Sequence, residues 1–375
     1  MRVFACSRFI LALASIPLFA GCEGGGDVPA GPIDPPDELG AFAIGYTELI
    51  VVDEARNGRE LPVSVWYPVD EEDAADEPLS RYPLDGAISL PSALAVDDLP
   101  VSSNGRRAVL IFSHGYGGIN TQSTQLMEAL ASHGFIVASV SHTGNTTGDS
   151  SDDRPAEKRV PDVSVVIDRM FERSNTAGDA FEGRIDQSRV GVLGHSFGGQ
   201  TALGTVAGWA GAAPDPRVSA IGVIAGGVGE DDFPKEALAA VRTPTLLLVG
   251  TLDPPALEKH RYVFANMPNA AALFNVEVEG ANHTHFANVC DIGNLLLGAG
   301  ITQDLWPGIG AEGLLQPYDD TCTDDVFPID EAQRIQNKYM VAHFRRYLLG
   351  QVAYERFLST EHADEVEPTV SFEAQ

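Results

Sequence analysis

From residue 42 onward, short apolar runs alternate with longer amphipathic stretches. Leu49–Val52 and Leu61–Tyr67 read as two opening strands, followed by an acidic, proline-containing stretch, 70–106. Ala108–Phe112 holds no polar residue, which is the pattern of a strand buried on both faces of a parallel sheet. A helix over about 122–132 and the strand Phe135–Val140 come next. Past a polar excursion, 143–160, Val163, Val166, Ile167, Met170 and Phe171 recur at helical spacing, marking one buried face of a helix opened by Asp162. Val190–Leu193, Ile221–Ala225, Thr245–Val249 and Leu273–Val278 supply four more strands, the first leading into a helix after Ser196. A final helix spans about 330–358. Repeated βα units predict an α/β fold: a doubly wound, mostly parallel sheet of about eight strands with helices on both faces.

The first 21 residues break this pattern. Arg2 and Arg8 precede an apolar run from Phe9 to Ala20, too short and too interrupted by Pro17 to span a bilayer, as in a secretory signal. Phe19-Ala20-Gly21-Cys22 resembles a bacterial lipobox, which makes Cys22 the expected lipidated residue and a membrane surface the expected anchorage, with plain secretion as the alternative. Residues 22–40 carry three consecutive glycines and several prolines, and read as a tether reaching on the order of 25 Å. The catalytic domain is expected over 41–360, with a lid-like insertion at 287–327 and an acidic tail at 361–375.

Charge and cysteine content narrow the setting. With 24 basic and 53 acidic residues the formal net charge is −29, so nucleic acid is excluded as a partner by repulsion from its phosphates. Of four cysteines, Cys6 and Cys22 belong to the signal region. In an exported protein the remaining two, Cys290 and Cys322, pair most simply with each other, contributing roughly 3–4 kcal/mol in the chain-entropy picture.

Chemistry enters at Gly194-His195-Ser196-Phe197-Gly198, a G-x-S-x-G sequence set directly between a buried strand and a helix. That placement suits a nucleophile elbow, in which a tight turn strains the serine backbone and pushes its Oγ outward. A hydroxyl needs a base and an orienting acid, expected downstream in the order acid, then base. Asp253 follows the strand Thr245–Val249, where ligand sites of open sheets gather; Glu230, Asp231 and Asp232 follow the preceding strand and are rival acids. His283 and His285 both follow the last strand, and either can be the base. A His-x-His pair can also bind metal, but no third ligand stands at a recognisable spacing, so neither metal nor cofactor is expected. The oxyanion of a tetrahedral intermediate needs backbone donors, for which the N–H groups of Phe197 and of Tyr116, in the loop Ser113–Gly118, are the candidates. His114, His195, His285 and Trp306 are candidate substrate contacts, His114 also as a support of that loop.

Three segments carry a family resemblance: Phe112–Gly117, Ala131–Ala138 and Gly194–Gly199. With Gly280-Ala281-Asn282-His283-Thr284-His285-Phe286, they resemble plasma-type platelet-activating-factor acetylhydrolase and the bacterial dienelactone-hydrolase-like esterases, over roughly residues 45–290. The resemblance implies an α/β-hydrolase and selects His283, the histidine three residues before Phe286, as the base; His285 then falls at the pocket rim. Where the acetylhydrolase places its acid, Ala225-Gly226-Gly227 has no carboxylate, which favours Asp253. Residues 287–327 depart from the family and, rich in leucine, are expected to form a lid or acyl-pocket wall clamped by the Cys290–Cys322 pair. The function implied is a serine carboxylic-ester hydrolase acting on short-acyl lipid or phospholipid esters. The alternatives are a dienelactone or lactone hydrolase, a cutinase-like polyester hydrolase, and, more remotely, a non-catalytic binding lipoprotein.

Overall fold

The computed structural model describes residues 33–85, 88–227 and 229–375. The expected signal segment, the anchor Cys22 and the first part of the tether lie outside the described residues. The strands are β1 (Ala43–Asp53), β2 (Arg59–Val69), β3 (Leu79–Asp85), β4 (Ile88–Asp97), β5 (Arg107–Ser113), β6 (Ile136–Val140), β7 (Ile185–His195), β8 (Val218–Ile224), β9 (Thr245–Gly250), β10 (Leu273–Val278) and β11 (Val370–Ala374). They form one sheet in the order β11-β10-β9-β8-β7-β5-β6-β2-β1-β4-β3. The central run from β6 to β10 is parallel throughout.

The apolar run in β5 shows why the strands read as continuous hydrophobic stretches. Leu110 and Phe112 join one core cluster with Phe135, Tyr339 and Phe344, while Val109 and Ile111 join the other with Val166, Ile167 and Met170. Successive side chains leave opposite faces, and both faces are covered by helices. Thr124–Ser132 and Ile329–Tyr347 contribute to the first cluster; Ala156–Asn175, Phe197–Ala207 and Pro254–Asn266 contribute to the second.

All eight expected strands occur, and three more accompany them. The stretch 70–106 contains β3 and β4, whose exposed polar positions and prolines (Pro83, Pro91) mask a half-buried hairpin; Tyr82, Leu90 and Ala95 enter the core. The expected acidic tail is instead a short helix, Thr360–Val366, and β11, antiparallel to β10. Val370 and Phe372 alternate inward there, and Glu367 is buried between Lys338 (2.5 Å) and Arg334 (2.6 Å). The described end of the tether, from residue 33, is also bound to the domain: Ile33 packs on the core, Arg334 holds Asp37 at 3.0 Å, and Tyr354 donates to the Asp34 carbonyl at 2.9 Å.

Two helices differ from expectation. Ala156–Asn175 begins a turn and a half before Asp162 and carries Pro161 within it, so Asp162 is a fully buried interior residue rather than a helix opener. The last long helix stops at Tyr347; beyond it Gly350 adopts φ +69° and Val352–Phe357 forms a 3-10 turn.

Candidate active site

The loops after β5, β7, β9 and β10 meet at one edge of the parallel sheet, at the carboxyl ends of its strands. Ser196 stands where β7 turns into the helix Phe197–Ala207, with φ 58° and ψ −120°, a region that non-glycine residues rarely adopt. The glycines around it have no room for side chains. A Cβ on Gly198 would lie 1.8 Å from the Ser113 carbonyl oxygen, and one on Gly194 would lie 2.3 Å from the Gly198 oxygen.

Ser196 Oγ lies 2.9 Å from Nε2 of His283, and the other ring nitrogen, Nδ1, lies 2.5 Å from Oδ2 of Asp253. The second carboxylate oxygen of Asp253 accepts from the Ala256 N–H at 3.3 Å, capping the helix Pro254–Asn266. Burial by itself raises the Asp253 carboxyl, but the hydrogen bond and charge of His283 outweigh it, and the group titrates below the usual carboxylate range. Of the rival acids, Glu230 and Asp231 are exposed, and Asp232 accepts from Gln200 and from the Trp209 indole, each at 3.2 Å. His285 occupies a different place from the expected pocket rim. It is fully buried and donates from Nε2 to the Phe327 carbonyl at 2.8 Å, because the turn after Asn282 rolls its ring beneath the loop. The two imidazoles thus serve different partners and do not converge.

Behind the loop Ser113–Gly118 lies a buried polar network that sequence reading missed. Arg159, fully buried, donates to the carbonyls of His114 and Gly115 and to Oδ1 of Asn145. His142 donates from Nδ1 to Asp162 at 2.9 Å and accepts the Ser113 hydroxyl at Nε2. Its N–H donates to Nε2 of His114, whose Nδ1 then donates to the Gly115 carbonyl at 2.7 Å. Asp162 also takes the Arg59 fork at 2.9 Å and Arg56 at 2.7 Å. Burial would raise Asp162; hydrogen bonds from His142 and Arg59 reverse that and hold it far below the usual carboxylate range. His142 is pushed down to about 4, first by burial and then by the Arg159 charge, so it is a neutral donor–acceptor at pH 7. The available signal was an Arg–Asp pair three residues apart beside the apolar positions of an amphipathic helix.

A second relay joins this loop to the histidine loop. The Gly115 N–H donates to Gln122 Oε1, Gln122 Nε2 donates to His195 Nδ1 at 3.0 Å, and His195 Nε2 donates to the His283 carbonyl at 2.8 Å. Burial, then the neighbouring His283, pushes His195 down to about 3. The Tyr116 N–H has no acceptor among the described residues, and the Phe197 N–H opens its helix, where no carbonyl of a preceding turn can reach it.

A cavity of about 380 Å³ adjoins Ser196 and His283 and is lined also by Tyr116, Gln122 and His195. Three expected substrate contacts, His285 among them, stand outside that lining. His114 is fully buried in the network above, and Trp306 is fully buried with its indole N–H on the Ile301 carbonyl at 3.0 Å. The insertion forms the helix Val289–Gly298, a 3-10 turn Gln303–Ile309 and the helix Leu315–Thr321, joined by the disulfide Cys290–Cys322 with 5.5 Å between Cα atoms.

Residues 98–298 match a family described as PETase, PET hydrolase-like. The chain is 32% identical to Cutinase 2 of Thermobifida cellulosilytica over 241 residues, covering 60% of this chain and 82% of that protein. It is equally similar to a cutinase of Thermobifida fusca, covering 67% of that relative. Among solved structures, a ferulic acid esterase from Streptomyces cinnamoneus superposes with a TM-score of 0.59 at 22% identity, covering 88% of this chain and 96% of that one, a likeness of fold. These relatives support the α/β-hydrolase reading and fit the cutinase-like alternative best, and give no support to the more specific resemblance to platelet-activating-factor acetylhydrolase or to dienelactone-hydrolase-like esterases. The chain belongs to the PET hydrolase-like family.

Proposed function

We propose that the protein is a serine carboxylic-ester hydrolase of the cutinase kind, with Ser196 as nucleophile, His283 as base and Asp253 as orienting acid. The observation that carries the reading is the unbroken hydrogen-bond chain from Asp253 through His283 to Ser196 Oγ at the carboxyl edge of the sheet. His283 takes the serine proton as Oγ attacks the ester carbonyl, and Asp253 holds the ring so that Nε2 faces the serine. The N–H groups of Tyr116 and Phe197 receive the oxyanion. His283 then gives its proton to the leaving alcohol, and a water attacks the acyl-serine by the same route in reverse, releasing the acid.

The cutinase relatives support polyester-type or similar apolar esters ahead of phospholipid esters as substrates. The proposal includes export, with anchoring through Cys22 as its finer form; the disulfide fits an oxidising compartment. Replacing Ser196 with Ala lowers kcat for p-nitrophenyl butyrate by about 10⁴–10⁶, because triad members act as a unit. A fluorophosphonate probe labels the native protein and spares the variant. Equal labelling of both removes Ser196 from its role.

A further inference from the structure

The cavity beside Ser196 is walled in part by stretches of the chain that the family match does not include. Leu84 and Ile88 come from the β3–β4 hairpin, and Ile309, Ala311, Leu314 and Pro317 from the far part of the insertion, whereas the match covers 98–298. These pieces are continuous with one another. The helix Val289–Gly298 packs against β4 and adds Ile292 and Leu296 to the lining. Tyr318 of the next helix lies so close on Gly293 that a Cβ there would stand 2.1 Å from its ring, and its hydroxyl donates to Asn294 at 2.7 Å. The disulfide fixes the two helices at Cys290 and Cys322. Tyr116 (65% exposed) and Ile309 (39% exposed) are open to solvent in this lining, while Ala287, Val289 and Leu296 are buried.

We infer that this cavity is a closed-ended socket for one terminal apolar arm of the ester. The enzyme then cleaves small esters and chain ends, and leaves bonds in the interior of a polymer intact. The inference rests on the serine-hydrolase reading above and adds the shape of the substrate to it. An interior ester bond carries a long chain on both sides of its carbonyl, and productive attack at Ser196 requires both chains to find an exit. Here the cavity is lined by the apolar side chains of Leu84, Ile88, Ile292, Leu296 and Leu314, and by the buried Ala287 and Val289. The volume, about 380 Å³, lies near the lower end of the roughly 300–1,000 Å³ usual for small-molecule sites, which suits a short or medium acyl chain or a single aromatic ring.

The test measures kcat/KM for p-nitrophenyl acetate, butyrate, octanoate and palmitate, and follows the products of a defined linear oligoester by mass. A maximum at butyrate or octanoate is expected, with palmitate at least about a hundredfold lower, and the oligoester losing one terminal unit at a time. Gly313 lines the cavity, and a Cβ there meets nothing within 4 Å, so Gly313→Phe adds a ring to the lining without a backbone clash. It is expected to lower the octanoate-to-acetate ratio of kcat/KM at least tenfold. Leu314→Ala is expected to move the maximum to a longer chain. A profile flat to palmitate and insensitive to both substitutions, or random interior scission of the oligoester, overturns the socket while leaving ester hydrolysis intact. Failure to cleave any of these esters overturns the hydrolase reading itself.

Discussion

The two sides of the active site are held by different means. On the side of the strand loops, the groups around Ser196 hang from the carboxyl ends of β5, β7, β9 and β10, and a buried web of Arg159, Asp162, His142 and His114 fixes the loop after β5. On the other side, residues 299–327 form short turns over a small apolar cluster of Ala287, Val289, Cys290 and Leu314, tied by one disulfide. The first arrangement resists change, because its buried groups are hydrogen-bonded mainly to one another, and removing one strands the others. The second can be exchanged with little disturbance to the sheet. In the proposed reading, chemistry is carried by the core of the fold and selection among substrates by an addition to it.

The contrast breaks hardest at Asp253. Asp253→Asn is expected to leave the fold intact and lower kcat by about 10⁴, since the amide holds His283 in the wrong tautomer. Steady-state kinetics with an unchanged circular dichroism spectrum checks this. An equal loss in Asp231→Asn or Asp232→Asn would return the acid to the preceding strand.

Next in size is the buried web. Asp162→Asn leaves Arg59 and His142 facing an uncharged amide and is expected to cost about 3–5 kcal/mol of stability in denaturant unfolding at pH 7. The sign of the pH dependence follows from the depressed carboxyl. A group held below its unfolded value contributes stability above about pH 4 and loses that contribution as the pH falls further. The native protein should thus weaken between pH 5 and about pH 2 more steeply than the variant, a difference that unfolding at several pH values resolves.

The smallest effect belongs to the insertion. Replacing Cys290 and Cys322 together by Ser is expected to cost at most about 3–4 kcal/mol. Hydrogen exchange should show lost protection confined to 287–327, with Ala156–Asn175 unaffected. Loss of protection across the whole sheet would mean that the two sides are coupled after all.

What could be read beforehand follows the same division. Burial on both faces makes β5, β6, β8, β9 and the end of β7 read as largely apolar runs, and the turn at Ser196 is announced by glycines that tolerate no Cβ. Strand order alone brought Ser196, the candidate acids and the loop of His283 and His285 to one edge of the sheet, and the family resemblance singled out Asp253 and His283. The hairpin β3–β4 and the strand β11 were not legible, since half their side chains face water and their acidic residues mimic loop or tail. Nor were the partners of Arg159, because a buried guanidinium looks in one dimension like any surface charge. His285 and Trp306 were placed by proximity to chemistry, yet each is turned inward by a carbonyl, of Phe327 and of Ile301, that no local pattern reveals.

The order of the sheet has a consequence for behaviour in concentrated solution. Its two outermost strands are β11 and β3. One is five residues long and presents Ser371 and Glu373 outward; the other carries Arg81 and the non-donating Pro83. Short, charged and proline-bearing edges are poor templates for another strand, so an eleven-stranded sheet that would otherwise invite end-to-end growth into fibrils terminates at both margins.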